Sequence, residues 1–125
     1  MLKTIISVIV TASLILAVSI YETVYVQSTF TEFSSILQGL YDKTISRTAT
    51  KQDGVAIQQY WEEKKHGLHI WIPHTAIIEV NYQLDEAVGF LITEDYANVL
   101  PKLEILLCIC EDVPRSYSFG LENIF

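Results

Sequence analysis

An uncharged segment of eighteen residues, 4–21, lies almost at the start of this 125-residue chain. At a rise of 1.5 Å per residue, eighteen helical residues span about 27 Å, which is close to the roughly 30 Å hydrocarbon core of a bilayer. Tyr21 closes the segment and Tyr25 follows one turn later, and tyrosine rings are typical of the headgroup level. The sequence therefore predicts a transmembrane helix, and we assign residues 1–27 to a membrane anchor.

Charged residues on the two sides of this segment predict its orientation. Lys3 precedes the segment, whereas Glu22 and Glu32 follow it. Because the positively charged flank of a single-pass segment stays in the cytoplasm, we expect a cytoplasmic N-terminus and a C-terminal domain, residues 28–125, outside the cell membrane. The predicted localisation is thus the cell membrane, with one crossing.

Two other interpretations of the segment stay open. Ala17 and Ser19 place small residues at the two positions that a signal peptidase inspects, and cleavage there would leave a secreted protein. Alternatively the segment is a buried core helix, although eighteen uncharged residues are many for so small a core. The apolar run continues to Val26 past the candidate cleavage site, with Glu22 as its one charged member, and this favours a retained anchor.

The composition of the remaining chain excludes several classes of protein. Half of all residues are hydrophobic, which excludes a disordered chain. Residues 22–125 contain seven Lys and Arg against fifteen Asp and Glu, a formal charge of −8, which argues against nucleic acid as a partner. Two cysteines are too few for a disulfide framework. Cys108 and Cys110 face opposite sides of a helix, so we expect Cys110 in the core and Cys108 exposed.

Apolar residues recur at alternating spacings of three and four residues in four stretches, a pattern typical of amphipathic helices. The stretches are Val26, Phe30, Phe33, Leu37 and Leu40; Ile57, Trp61, Lys64, Leu68 and Trp71; Ile77, Val80, Leu84, Ala87 and Leu91; and Tyr96, Leu100, Leu103, Leu107 and Cys110. We predict an all-α protein, in which an N-terminal transmembrane helix continues into a small antiparallel up-down bundle of about four helices.

Local signals predict where the middle helices begin and end. Thr50 with Asp53 three residues later has the pattern of a capping box, which predicts the start of the second helix. Pro73 ends that helix, because the residue before a proline disfavours the helical conformation. Thr75 is the expected cap of the third helix.

The start of the fourth helix is open between alternatives. Thr93 or Asp95 can cap it, and a start at Thr93 would put Pro101 inside the helix, where it forces a kink. A start near Asn98 would put Pro101 in the first turn, where proline is tolerated. The last residues, 115–125, follow another proline, and we expect them to form an irregular tail that packs back onto the bundle.

Few residues suggest chemistry. His66, His69 and His74, with Glu79 five residues further on, are residue types that bind metals, but their spacing matches no zinc pattern. The chain has no Gly-x-Ser-x-Gly, no phosphate-binding P-loop and no His-Glu-x-x-His motif. We therefore expect no catalytic residue, no metal and no cofactor.

The layout of the second half carries a family resemblance. Trp61 is followed by the segment Trp71-Ile72-Pro73-His74, then by Glu79, and the chain ends with Leu121-Glu122-Asn123-Ile124-Phe125. With the N-terminal anchor, this layout resembles an uncharacterised family of short membrane-anchored proteins from spore-forming Gram-positive bacteria. That family has no assigned activity, so the resemblance implies a topology and not a function. The positions that match its recurring polar residues are His74, Glu79, Glu122 and Asn123.

These observations favour a non-enzymatic protein of the cell envelope, anchored in the membrane and acting as an interaction or accessory subunit. Its partners would be the membrane and a protein of unknown identity. The candidate interaction surface consists of Trp71, His74, Glu79, Glu122 and Asn123. The alternative is a sensor domain that binds a ligand or a metal ion at the corner formed by Trp71, His74 and Glu79.

Overall fold

Four α-helices make up the described part of the chain, which in this computed structural model comprises the backbone of residues 1–124 and the side chains of residues 1–116. The helices are α1 (Leu2–Ile45), α2 (Lys51–Leu68), α3 (His74–Ile92) and α4 (Tyr96–Ile124). No strand occurs in the part of the backbone that is described. The prediction of an all-α protein with a long apolar N-terminal helix is confirmed.

α1 is one unbroken helix of 44 residues with two different halves. Residues 2–25, the apolar half, include no buried side chain, and Val26 is the first buried residue of the helix. Residues 26–45, the bundle half, pack against the other helices. Of the described helices, α1 is the one that is long and apolar enough to cross a membrane.

Each helix packs antiparallel to its neighbours in sequence, and α4 closes the bundle by packing against both α3 and α1. Side-chain pairs between the helices show this order. They are Lys43–Asp53 for α1 and α2, Gln58–Asp85 for α2 and α3, Glu86–Lys102 for α3 and α4, and Tyr41–Glu104 for α1 and α4. The arrangement is therefore an up-down bundle, as the apolar stripes predict.

The bundle core consists largely of the predicted stripes. All five stripe residues of α1 and all five of α3 are buried. Of the stripe predicted for the second helix, Ile57, Trp61 and Leu68 are buried. Lys64 and Trp71, the latter beyond the end of α2, are half-buried at the margin of the core. These residues confirm that helical periodicity identified the inward faces of the first three helices.

The buried face of α4 differs from the predicted one. Val99 and Leu106 are fully buried together with the predicted Leu103 and Cys110, whereas Leu100 and Leu107 are half-buried. Apolar residues cover so much of α4 that two overlapping stripes are possible. The packing of α4 against α1 on one side and α3 on the other determines which of the two stripes is buried. The periodicity within α4 alone does not determine this.

The predicted capping box begins α2. The Asp53 backbone N–H donates to the Thr50 hydroxyl (3.3 Å), and the Thr50 backbone N–H donates to the Asp53 carboxylate (2.9 Å). α2 then ends at Leu68, five residues before Pro73. After Leu68 the chain forms a hydrogen-bonded turn, in which the Leu68 carbonyl accepts the backbone N–H groups of Trp71 and Ile72, both at 2.9 Å.

The predicted cap of α3 is wrong. α3 begins at His74, with Pro73 at the N-cap position and no hydrogen bond from a capping side chain. Thr75 therefore lies inside the first turn of the helix. Proline fixes φ at a value that suits a helix start, and the Pro73 carbonyl accepts the backbone N–H groups of Ala76 (3.1 Å) and Ile77 (3.4 Å). His74 and Thr75 are exposed, so water can satisfy their N–H groups without a capping side chain.

α4 begins at Tyr96, where the Asp95 carbonyl accepts the backbone N–H groups of Asn98 (3.1 Å) and Val99 (3.2 Å). Pro101 is the sixth residue of the helix, beyond the first turn. In a regular helix its nitrogen would donate to the carbonyl four residues earlier. That carbonyl belongs to an exposed residue, so water can satisfy it.

The prediction of an irregular tail is also wrong, since α4 continues through Pro114 to Ile124. Contacts spaced by one turn continue across this proline. The Arg115 guanidinium donates to the Glu111 carboxylate (2.6 Å), and the Ser116 hydroxyl donates to the Asp112 carbonyl (3.0 Å). A proline removes one backbone hydrogen bond and often kinks or ends a helix, but here the chain stays helical beyond it.

Candidate functional site

The predicted interaction surface is only partly assembled by the fold. Trp71 lies half-buried in the α2–α3 turn, residues 69–73, and the exposed His74 follows directly as the first residue of α3. Glu79 lies more than a turn further along α3, where its carboxylate accepts from the Gln83 amide (2.9 Å). Glu122 and Asn123 lie outside the residues whose side chains are described.

The α2–α3 turn lies at the end of the bundle where the apolar half of α1 enters. Gly67, in the last turn of α2, is half-buried, and a Cβ atom there would collide with the Tyr25 hydroxyl. The Tyr25 ring in turn stacks on Tyr21, with centroids 6.2 Å apart and planes 12° from parallel. We call this end, formed by Tyr25, Gly67 and residues 69–74, the anchor end.

The turn contains exposed side chains between two buried ones. Leu68 and Ile72 are both buried and hold the turn against the core, whereas Ile70 is 72% exposed. Trp71 packs against the core with part of its surface. The turn is therefore fixed from inside while it presents an isoleucine and part of a tryptophan to its surroundings.

Two of the three histidines meet across the turn. The rings of His69 and His74 lie 5.4 Å apart at an angle of 29°, while His66 is exposed on the last turn of α2. Among the described residues, no group of three His, Cys, Asp or Glu side chains is close enough together to hold a metal ion. The histidine pair therefore offers two imidazole rings at the surface, whose nitrogens can form hydrogen bonds or bind a metal ion.

The buried Trp61 has a polar partner that the hydrophobic periodicity does not reveal. The Trp61 indole N–H donates to the Asn81 side-chain oxygen at 2.6 Å, and the Trp61 ring stacks on Phe33 at 5.2 Å. The available signal was Asn81 itself, a polar residue directly beside Val80 of the buried stripe. A buried indole requires such an acceptor, so this hydrogen bond fixes the register of α2 against α3.

A shallow groove of about 480 Å³ lies next to this hydrogen bond, between α2 and α3. Its polar side chains pair with each other, as the Gln58 amide donates to Asp85 (3.0 Å) and the Lys65 ammonium donates to Glu62 (2.8 Å). Tyr82 on its rim is exposed. The groove thus offers an acidic surface with one aromatic ring, and its charged groups do not converge on one point.

Burial controls the ionisation of two groups in the bundle. It raises the pKa of the Cys110 thiol to about 12 and the pKa of the Tyr60 phenol to about 12. At neutral pH Cys110 is therefore a protonated core residue and no nucleophile. Cys108, two residues before Cys110 and on the opposite side of the helix, is exposed, as predicted.

The surroundings of the α2–α3 turn thus combine an apolar and aromatic surface, from Ile70 and Trp71, with the imidazoles of His69 and His74. Both features lie at the anchor end of the bundle. Comparison of the chain with protein-family models, curated protein sequences and solved structures gave no match. The function of this protein has therefore to be inferred from its own residues and their geometry.

Proposed function

We propose that this protein is a single-pass membrane protein that holds a small acidic helical bundle outside the cytoplasm, as a non-enzymatic interaction or accessory subunit of the cell envelope. The observation that carries the proposal is the continuity of α1. One helix supplies both the apolar half and a quarter of the bundle, with no linker between them. A bundle attached in this way stays at a fixed, short distance from the bilayer.

The apolar half supports the membrane anchor. Its large apolar side chains are exposed on all sides of the helix, and leaving each of them in water forgoes about 1.5–3 kcal/mol relative to burial. These side chains are Leu2, Ile5, Ile6, Val8, Ile9, Val10, Leu14, Ile15, Leu16, Val18 and Ile20. A lipid core satisfies them all at once, whereas no described part of the chain covers them.

Cleavage after Ser19 remains the competing interpretation, with secretion as its outcome. The candidate site lies in the middle of α1, about two turns before the first buried residue, Val26. Mass spectrometry of the mature protein tests this directly. We expect the intact apolar half, and an N-terminus at Ile20 would contradict the anchor.

The orientation of the anchor can be tested with the native cysteines. We expect a membrane-impermeant maleimide to label Cys108 in intact cells, because the bundle faces outward in the proposal and this thiol is exposed. The buried Cys110 should stay unlabelled until the protein is denatured, and a Cys108→Ser variant shows the background. Labelling of Cys108 only after lysis would contradict the proposed orientation.

The surface charge of the bundle suggests the kind of protein partner. Residues 22–125 carry a formal charge of −8, which favours association with a basic surface. Tyr82 on the rim of the α2–α3 groove adds an exposed aromatic ring beside Glu62 and Asp85, and tyrosine is enriched at interfaces. We therefore place the partner contact on this groove.

Photo-crosslinking in native membranes tests the partner contact. A photoreactive amino acid in place of Tyr82 should give a specific adduct that decreases at high salt, whereas the same replacement at Ser35, on the exposed side of α1, should give less. Recovery of the protein only as an isolated monomer from both positions would contradict an interaction role. Membership of the chain in the family of membrane-anchored proteins from spore-forming bacteria stays a prediction.

The stacked pair of His69 and His74 keeps the sensor alternative open. A metal ion that binds the folded state raises the melting temperature, and the rise grows with metal concentration. Under the leading proposal we expect no shift with zinc or nickel. A shift that His74→Ala abolishes would favour the sensor instead.

A further inference from the structure

Among the bundle residues whose side chains are described, the most exposed large apolar one lies at the anchor end. Ile70 is 72% exposed, compared with 62% for Tyr82, 58% for Ile45 and 55% for Ile92. It belongs to the α2–α3 turn, whose buried residues fix it to the core. Because the turn is fixed to the core, the position of the Ile70 side chain along the length of α1 is defined.

Contacts between α1 and α2 give the height of this turn along α1. Phe33 stacks on Tyr60 at 5.7 Å, and further down the helix Tyr25 packs on Gly67. Because α2 runs antiparallel to α1, the residues that follow Gly67 lie beside the residues that precede Tyr25. The turn therefore lies level with the stretch around Tyr21, where the uncharged segment of α1 ends.

That level is the headgroup layer of the membrane if α1 spans it. Tyrosine and tryptophan collect there, because the ring prefers the apolar side of the boundary and the polar tip prefers water. Tyr21 and Tyr25 stack on each other on α1, and the antiparallel register of α1 and α2 puts Trp71 of the turn at about the same level. The fold thus adds a second group of interfacial residues beside the anchor.

We infer that the α2–α3 turn enters the headgroup layer of the same membrane that holds α1, with Ile70 and Trp71 as its lipid contacts. This inference rests on the proposed membrane anchor. A protein partner fits the site less well, because a standard interface buries about 800 Å² on each side and this patch consists of one exposed and one half-buried side chain. With α1 and the turn both in the membrane, the bundle is held at two points and its tilt is fixed.

The test uses the full chain in vesicles of phosphatidylcholine and phosphatidylglycerol, some of which contain phosphatidylcholine with a nitroxide near the top of the acyl chain. An environment-sensitive fluorophore is attached at Ile70→Cys in a Cys108→Ser background. The matched control is Ile92→Cys, an exposed isoleucine at the opposite end of the bundle. We expect a blue shift and nitroxide quenching at position 70, and a water-like, unquenched signal at position 92.

The two native tryptophans give an independent measurement without a label. Part of the tryptophan emission of the wild-type protein should be lost in nitroxide vesicles, and Trp71→Phe should remove this loss. The remaining Trp61 is only 1% exposed, in the bundle core, and should not be quenched. Equal quenching in the wild type and in Trp71→Phe would overturn the inference.

Flotation of the same vesicles distinguishes a failure of the proposed membrane anchor from a failure of the lipid contact at the α2–α3 turn. Protein that does not float with the lipid would refute the anchor, and the inference with it. Protein that floats but gives the same signal at positions 70 and 92 would overturn the lipid contact alone and leave the anchor intact. A blue shift at position 70 without nitroxide quenching would assign the patch to a protein contact, which also overturns the inference.

Discussion

The two halves of α1 belong to one continuous helix but present their apolar side chains in opposite ways. In the apolar half, large aliphatic side chains surround the helix and are exposed; in the bundle half most of the apolar side chains form one stripe, which is buried. The backbone is helical throughout, so secondary structure does not distinguish the halves. The distribution of apolar residues around the helix does, because it shows whether lipid on all sides or protein on one side covers them.

The largest test of this contrast is the removal of one side chain from each half. Phe33→Ala removes a buried ring that stacks on Trp61, and we expect a loss of about 3–5 kcal/mol in the free energy of unfolding. Ile9→Ala, in the apolar half, should leave that free energy unchanged. Chemical denaturation of both variants in detergent measures the difference, and similar losses would show that the apolar half belongs to the core.

A charge gives the reverse test. Leu14→Arg near the middle of the apolar half should cost about 2.5–3.5 kcal/mol of insertion free energy and reduce the membrane-bound fraction. Ser35→Arg, on the exposed side of the bundle half, should leave insertion unaffected. Fractionation of cell membranes compares the two variants. An equal bound fraction for both would mean that lipid does not surround the apolar half.

Two glycines test whether close packing is confined to the bundle interior. A Cβ atom at Gly54 would lie 2.9 Å from Leu91 and 3.0 Å from Val88, whereas at Gly39, on the exposed side of α1, it would meet nothing within 4 Å. We expect Gly54→Ala to lose about 1–2 kcal/mol, because overpacking outweighs the gain in helix propensity. Gly39→Ala should gain up to about 1 kcal/mol. Thermal unfolding measures both, and a stabilised Gly54→Ala variant would mean that the core there can relax.

The smallest effect concerns helix ends. α1 has no side-chain cap at its N-terminus, while α2 begins in water with the capping box of Thr50 and Asp53. We expect Thr50→Ala to reduce the free energy of unfolding by about 1 kcal/mol. Replacement of the neighbouring Lys51 by alanine provides the control, since it leaves the capping hydrogen bonds in place.

The same box predicts a pH dependence. The backbone N–H of Thr50 holds the pKa of Asp53 below its usual value, and Lys43 adds to the effect. A carboxyl group with a lowered pKa in the folded state stabilises the fold above its unfolded pKa of about 4, and this contribution is lost as the pH falls through the folded pKa. The difference in unfolding free energy between wild type and Asp53→Ala should therefore shrink on acidification, and a difference that grows would contradict the assignment.

Much of the fold was predictable because its signals are local. The stripes of α1 and α3 follow from spacing alone, and the capping box of α2 follows from two residues three positions apart. The errors occurred where several local solutions compete. α3 begins at His74 without its expected Thr75 cap, and α4 continues past Pro114, although a proline at that position can also end a helix.

The candidate site was less predictable than the fold. Trp71 and His74 are three residues apart in sequence and both lie at the anchor end, but Glu79 pairs with Gln83 further along α3. The acceptor of the Trp61 indole, Asn81, lies twenty residues away on another helix. Which side chains of different helices come into contact depends on how the helices pack against each other, and residue spacing along one helix does not determine that packing.

The sequence by itself determined that the chain is helical, that its first segment is apolar all round, and that three later faces are buried, because hydrophobic periodicity acts within one helix. Only the tertiary structure decided that the last turn of α2 packs beside Tyr25 and that α4 buries Val99 and Leu106. Those outcomes depend on antiparallel packing between residues far apart in sequence. The contacts that select them, such as the close approach permitted by Gly67, exist only once the helices are together.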